Sequence, residues 1–441
     1  MQKLLYNLLY SKNNLRKLNI NCNILYFYSR CLHEKIGVFF NSSYNLFMKI
    51  LHTSDWHLGQ SFMGKSREAE HKAFLAWLLQ TIQEHSITTL IVAGDIFDTG
   101  TPPNYALELY YTFLKECSQL CTNIIVIAGN HDSIATLKAS KELLGALHID
   151  VITTGDTEES ELVELYEQGE LCAIVCGVPY LRDYVVRESL AGETLHEKEH
   201  SLTQGIEAHY KKVHEEALVL RGNLDVPIVA TGHLTTVGAT RSESEREIYI
   251  GGTLNVESSF LSKLFDYVAL GHLHINQRVG CESVRYSGSP IPLSFSEAGQ
   301  QKRVNVVSWS KGVLEVEELV IPLYRELFLS KGNLEKVLAD LESVESTSTW
   351  IEVHLKDENP FYANQQIRAR AEELGLSILA LKVEVLEQKL QGEDFHVISL
   401  DELTPQEVFE KRLEKELLKD EAFEKQLSTT FSQVVEELHK R

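Results

Sequence analysis

At 441 residues, with 44% hydrophobic and 24% charged side chains, the chain has the make-up of an ordinary globular protein of two or three domains. A net charge of −21 argues against a sequence-independent nucleic-acid binder with a basic surface of its own, but not against a nuclease that takes positive charge from metals or a partner. No run of about 18 apolar residues predicts a membrane span, and seven cysteines without knuckle or disulfide spacing point to reduced thiols and a cytoplasmic compartment.

Residues 1–47 differ from the rest. They are rich in Asn, Lys, Tyr and Phe, and Glu34 is their only acid. Asn7, Lys12, Asn13 and Asn14 interrupt any apolar signal core. The segment is expected to be a non-native or disordered extension, with Met48 as the biological start. From Met48 the pattern alternates. Strand-like "KILHTSD", helical "REAEHKAFLAWLLQTIQEH", strand "TTLIVAGD", helical "NYALELYYTFLKEC" and strand "NIIVIAGN" read as βαβ units. "LCAIVCGV", "VPIVATGH", "YVALGH" and "VRYSGSP" predict further strands, with a polar, helix-compatible excursion over 183–220. A layered α/β domain is expected over 48–325, and a smaller strand–helix rhythm predicts an α/β cap over 326–392. A polar linker, 393–403, precedes C-terminal helices over 404–441. Thr404, Pro405 and Glu407 form a helix-start signature. Phe423, Leu427, Phe431, Val434, Val435 and Leu438 make one apolar stripe, suited to its own domain or to a partner.

Polar residues of metal-binding type gather where the core strands end. These are Asp55 and His57 in "TSDWH", Asp95 and Asp98 in "VAGDIFD", Asn130, His131 and Asp132 in "IAGNHDS", His233 in "ATGHL", and His272 and His274 in "LGHLH". A lone His or Asp there is usually structural, but five strand ends together are not. In an α/β sheet the carboxyl ends share a rim, where ligands bind. Glycines before several of these residues are expected to let the backbone turn sharply. Mixed imidazole and carboxylate donors suit Mn²⁺ or Fe²⁺ better than Ca²⁺. Two ions roughly 3.5–4 Å apart would need a bridge such as Asp95, and would activate a water and neutralise a phosphate. The nine histidines His71, His85, His148, His196, His200, His209, His214, His354 and His396 lie outside this pattern and are read as structural.

Together these motifs resemble the calcineurin-like metallophosphoesterase superfamily. "MKILHTSDWHLGQSF", "GDIFDTGTPPNYA", "GNHDS", "ATGHLTTVGATRSESEREIYIGG" and "YSGSPIPLSFSE" resemble, within it, the nuclease subunits of bacterial SbcCD complexes. The resemblance implies a β-sandwich flanked by helices, with a small α/β cap that holds duplex ends and C-terminal helices. It implies two divalent ions, Mn²⁺ foremost. Asp55, His57, Asp95 and His274 would hold one. Bridging Asp95, with Asn130, His233 and His272, would hold the other. His131 would be the acid for the leaving 3′ oxygen, Asp132 would orient His131 or its loop, and Asp98 receives no ligand role. The implied reaction is in-line hydrolysis of DNA without a covalent enzyme intermediate. It would serve duplex exonuclease and single-strand endonuclease activity in end processing, hairpin cleavage, repair and recombination. The implied partners are DNA ends and hairpins, an SbcC-type SMC-like ATPase bound through 404–441, and a second copy of the chain within a heterotetramer. Rival readings are a small-molecule or cyclic-nucleotide phosphoesterase, and a metal-bound scaffold regulating an ATPase.

Overall fold

The computed structural model describes residues 48–383 except 157–158, 188–192, 246–255, 311 and 358, together with 427, 430 and 431. The expectations for 1–47, the linker, the Thr404 start signature and most of the tail stripe lie outside the described residues. In chain order the strands are β1 (Lys49–Thr53), β2 (Ser61–Phe62), β3 (Lys65–Ser66), β4 (Thr89–Ala93), β5 (Asn123–Ile127), β6 (Ile149–Ile152), β7 (Leu162–Glu167), β8 (Glu170–Cys176) and β9 (Ile228–His233). They continue with β10 (Tyr267–Gly271), β11 (Gln277–Val279), β12 (Cys281–Tyr286), β13 (Arg303–Ser310), β14 (Val313–Val320), β15 (Leu327–Gly332), β16 (Trp350–Leu355) and β17 (Ser377–Val383). The principal helices are α1 (Glu68–Glu84), α2 (Asn104–Cys117), α3 (Leu195–Arg221), α4 (Ser258–Leu264), α5 (Leu334–Glu342) and α6 (Pro360–Glu373).

Two six-stranded sheets, β14-β13-β1-β4-β5-β6 and β11-β12-β10-β9-β8-β7, face one another. Their central strands, such as β4, β5 and β10, are apolar on both faces because both faces are covered, whereas along the edge strands β7 and β14 exposed residues alternate with more buried ones. Ile50, Ile91, Ile125, Val175, Val229 and Ala269 from the two sheets interdigitate between them. Phe74 and Leu78 of α1 and Phe113 and Leu114 of α2 cover one outer face. Ile206, Tyr210 and Val213 of α3 and Leu261 of α4 cover the other. The layered sandwich flanked by helices is thus present. The polar excursion over 183–220 is mostly α3, whose start is fixed by a capping box of Thr194 and Glu197.

β1, β4 and β5 are parallel neighbours, as are β8, β9 and β10 in the other sheet. Each set therefore brings its carboxyl ends to a common rim. Beyond it, β15-β16-β17 form a three-stranded parallel sheet. Its core joins Ile351 and Val353 to Val337 and Leu341 of α5 and Ala363 and Ile367 of α6. No helix among the described residues is long and apolar enough to cross a membrane.

Candidate metal centre

The site is assembled from turns that leave the strands in unusual backbone conformations. Asp55 (φ 52°), His57 (φ 45°), Asp95 (φ 50°) and His272 (φ 92°) all lie in left-handed backbone, which costs an L-residue roughly 1–3 kcal/mol and persists only where surroundings enforce it. Those surroundings are reciprocal. The Asp55 N–H donates to the Gly94 carbonyl and the His57 N–H to the Asp95 carbonyl, lacing the β1 turn to the β4 turn. The sharp turning expected of the glycines holds at one of three. Of Gly94, Gly129 and Gly271, only Gly94 has positive φ (+87°). A Cβ on Gly129 would sit 2.2 Å from Asp95 Oδ1, and one on Gly271 would sit 1.9 Å from the Ala93 carbonyl oxygen. These two glycines are required by close approach of neighbouring turns, while the ligand-type residues themselves turn the chain.

Three groups of donor atoms converge, each within 4.8 Å: Asp55, His57 and His274; His57, Asp95 and His131; and Asp95, His233 and His272. Asp95 is central. Its Oδ1 accepts the His131 N–H at 2.9 Å. Its Oδ2 lies 3.6 Å from His57 Nε2 and 3.3 Å from His233 Nε2. His233 Nε2 also meets Asn130 Oδ1 at 2.9 Å, while its Nδ1 faces the Ala93 carbonyl at 3.0 Å. On the other side, Asp55 accepts the His272 N–H at 2.9 Å.

His57 is buried, yet neither ring nitrogen makes a well-formed hydrogen bond. With a carboxylate oxygen 3.6 Å from Nε2 and another 3.3 Å from Nδ1, this buried imidazole sits among acids as a cation ligand would. The donor set of imidazole, carboxylate and one neutral amide oxygen fits first-row divalent ions.

Burial dominates the electrostatics. It pushes the Asp55 carboxyl up to about 7 and the His274 imidazole down to about 4, and holds His272 well below its ordinary range. Burial also disfavours both members of the Asp95–His233 pair, but their mutual attraction outweighs it. His233 rises to about 9 and Asp95 falls well below the usual carboxylate range. Without a cation, protonated His233 balances the charge of Asp95.

His131 is half-buried beside this cluster, its ring 4.8 Å from that of His57. Its Nδ1 meets the Asp98 carbonyl at 2.8 Å. Since a carbonyl only accepts, Nδ1 carries a proton and Nε2 is the atom with variable protonation. Asp132, the next residue, is buried. Its carboxylate accepts the N–H groups of Gly129 (2.8 Å), Phe97 (3.0 Å) and Ile96 (3.2 Å), fastening the β5 turn to the β4 turn. These three contacts are of the loop-positioning kind. Asp98 Oδ1 lies 3.3 Å from His57 Nδ1, supporting that ring from behind. His71, read as structural, is fully buried on the inner side of α1 and kept neutral, its pKa lowered to about 3 by burial. Sequence reasoning missed Ser244, Glu245, Glu297 and Lys302, which surround His274. The only sequence signal for them is that they sit in the quoted runs "TRSESERE" and "YSGSPIPLSFSE" or just beyond the latter.

The model of the calcineurin-like phosphoesterase family matches residues 48–276, and that of the type 5 capsule protein repressor C-terminal domain matches 323–416. The SbcD subunit of the nuclease SbcCD from Escherichia coli strain K12 is 42% identical over 394 residues, spanning 87% of this chain and 97% of the relative. The SbcD proteins of Bacillus subtilis and Rhodobacter capsulatus are 34% and 36% identical, over 70% and 60% of this chain and 79% and 67% of their own lengths.

Proposed function

The chain is a metal-dependent nuclease of the calcineurin-like phosphoesterase family and belongs, within it, to the SbcD proteins of SbcCD nucleases; from that premise we propose that its rim of strand ends is a two-metal centre hydrolysing DNA phosphodiesters. Asp55, His57, Asp95 and His274 would hold one ion. Asp95, shared, would hold the second with Asn130, His233 and His272. Mn²⁺ suits this donor set. When bound, the pair would polarise the phosphate, lower the pKa of a water and offset charge on both the attacking and leaving oxygens.

The observation that carries this reading is Asp95 Oδ2 lying between His57 Nε2 and His233 Nε2, the place from which one carboxylate serves two ions. His131 would act through Nε2. The Asp98 carbonyl holds the Nδ1 proton, so the imidazolium form presents an acidic N–H to the departing 3′ oxygen. Asp132 keeps His131 in place by tying its loop to that of Asp95.

In this reading 48–325 is the nuclease domain, 326–392 the cap that holds duplex DNA, 393–403 a linker and 404–441 the segment that binds an SbcC-type ATPase. The complex would pair two copies of the chain in a heterotetramer and process DNA ends and hairpins in repair and recombination within the cytoplasm. The ATPase would contribute positive surface that a chain of net charge −21 does not.

The test uses Mn²⁺, end-labelled duplex DNA and a bis-aryl phosphodiester, with and without the ATPase partner. Wild type should degrade the duplex. His131→Ala should keep metal and DNA affinity but lose about 10²–10⁴-fold in turnover. Cleavage of the diester with duplex untouched, even with the partner, would move the assignment to a small-molecule phosphoesterase. Wild-type turnover by His131→Ala would remove the acid role.

A further inference from the structure

Around His274 the protein builds a closed polar shell from segments with no place in the reaction outlined above. Ser244 Oγ meets His274 Nδ1 at 2.5 Å and Glu297 Oε1 at 2.5 Å. Glu297 is fully buried, and its Oε1 also lies 3.8 Å from His274 Nδ1. The other carboxylate oxygen accepts from Lys302 Nζ at 2.5 Å, the Leu293 N–H at 3.2 Å and Ser289 Oγ at 3.4 Å. The backbone of His274 is gripped as well. Its N–H donates to Glu245 Oε1 at 2.8 Å, and its carbonyl accepts from Lys302 Nζ at 3.0 Å and the Ser289 N–H at 3.2 Å.

Proton counting fixes the ring. A buried carboxylate facing a lysine ammonium is ionised and only accepts, so the single hydroxyl proton of Ser244 goes to Glu297, and Ser242 Oγ, 2.6 Å from Ser244 Oγ, must donate its own. The contact between Ser244 and His274 then needs its proton from Nδ1. Nε2 is left with its lone pair, on the opposite edge of the imidazole.

We propose that Ser244 and Glu297 are positioning residues that lock His274 in the Nδ1–H tautomer and aim its Nε2 at one of the two metal positions. The inference rests on the two-metal reading above. A ligand imidazole is usually held by a hydrogen bond from its other nitrogen, and losing that support costs roughly 10–100-fold in metal affinity. Here a serine hydroxyl relays the carboxylate to the ring. The strap carrying Ser244 and Glu245 thereby becomes part of one metal shell without supplying a ligand.

Mn²⁺ titration of the full chain by calorimetry, followed by electron paramagnetic resonance, tests this. Wild type should bind two ions and, at two equivalents, give the exchange-coupled signal of a manganese pair. Ser244→Ala alters one hydroxyl on a partly exposed loop. Glu297→Gln keeps the shape of the hub while removing its charge. Each should weaken one of the two sites by about 10–100-fold, leave the other unchanged, and give a mononuclear signal at two equivalents when protein is dilute. Wild-type affinities and a coupled signal in both variants would overturn the positioning role. Fewer than two ions bound by wild type would instead overturn the two-metal reading on which it rests.

Discussion

Asp95 and His233 decide the behaviour of the site at the scale of single residues. Each is buried, and each carries a charge that the other does most to make tolerable, with His57 and His131 also favouring Asp95 and Asp55 also favouring His233. In the proposed two-metal centre, ligation would require neutral His233 and ionised Asp55. His233, raised to about 9, holds its proton at neutral pH; Asp55, raised to about 7, gains one as pH falls through that value. Metal uptake must therefore expel protons: His233's between about pH 7 and 9, and increasingly that of Asp55 as well below 7. Apparent Mn²⁺ affinity is expected to climb as pH rises towards 9. Calorimetry in buffers of different ionisation enthalpy counts the released protons, and a pH-independent affinity with no release would contradict the arrangement. His52 shows the opposite use of a buried imidazole. It bridges Tyr267 Oη at 3.0 Å and the Leu270 carbonyl at 3.1 Å, tying one sheet to the other, and burial lowers its pKa to about 3.

Between elements, the decisive contact is where β4 of one sheet meets β10 of the other. Gly271 ends β10 against the Ala93 carbonyl of β4, leaving no room for a side chain. His272 and Asp95 follow closely on either side. Gly271→Ala should therefore part the two rims, costing about 1–3 kcal/mol as overpacking does, and should weaken Mn²⁺ binding. Thermal denaturation and metal titration read the two effects, and a variant stable and metal-competent as wild type would show that the sheets can separate freely. The Asp132 carboxylate is the corresponding tie within one sheet. Asp132→Ala leaves the N–H groups of Ile96, Phe97 and Gly129 without their acceptor, so a loss of about 3 kcal/mol is expected in denaturant unfolding.

At the scale of the whole domain, the sandwich and the three-stranded sheet are joined by an apolar cluster of Phe62, Phe295, Leu327 and Trp350 and by a buried cation beside it. Arg67, at the start of α1, faces the stacked rings of Phe62 and Trp350, its guanidinium 5.2 and 5.4 Å from their centroids. It forms a two-point pair with Glu70, which also binds Arg325, and donates to the Pro292 carbonyl at 2.8 Å. Trp350 opens β16, so the same side chain touches both bodies. Arg67→Ala removes a fully buried charge partner and should cost about 3 kcal/mol or more. If the three-stranded domain holds duplex DNA as proposed, duplex degradation should fall more than bis-aryl diester hydrolysis, which would not need that domain. Equal losses on both substrates would argue that the junction serves stability alone. Removing 404–441 should abolish ATPase binding in a pull-down and spare diester hydrolysis.

The central strands β1, β4, β5, β8, β9 and β10, with β12, the helices α1 and α2, and the polar residues at the strand ends were legible in the sequence; β6, β7, β13, β14 and α4 were not. Strands buried on both faces read as apolar runs, and chemistry at their ends reads as Asp, Asn and His beside glycine. The role of the glycines was not legible. Gly94 turns by its own φ, whereas Gly129 and Gly271 are required by atoms 34 residues or more away in sequence. Nor were Ser244, Glu297 or Arg67 legible. Serine, glutamate and arginine are common surface residues, and nothing local says that these three are drawn inside, Arg67 and Glu297 completely. Local periodicity and residue chemistry determined which elements form and what they carry to the rim. Only folding decided which carboxylate faces which imidazole, because that choice belongs to side chains brought together by packing rather than by sequence.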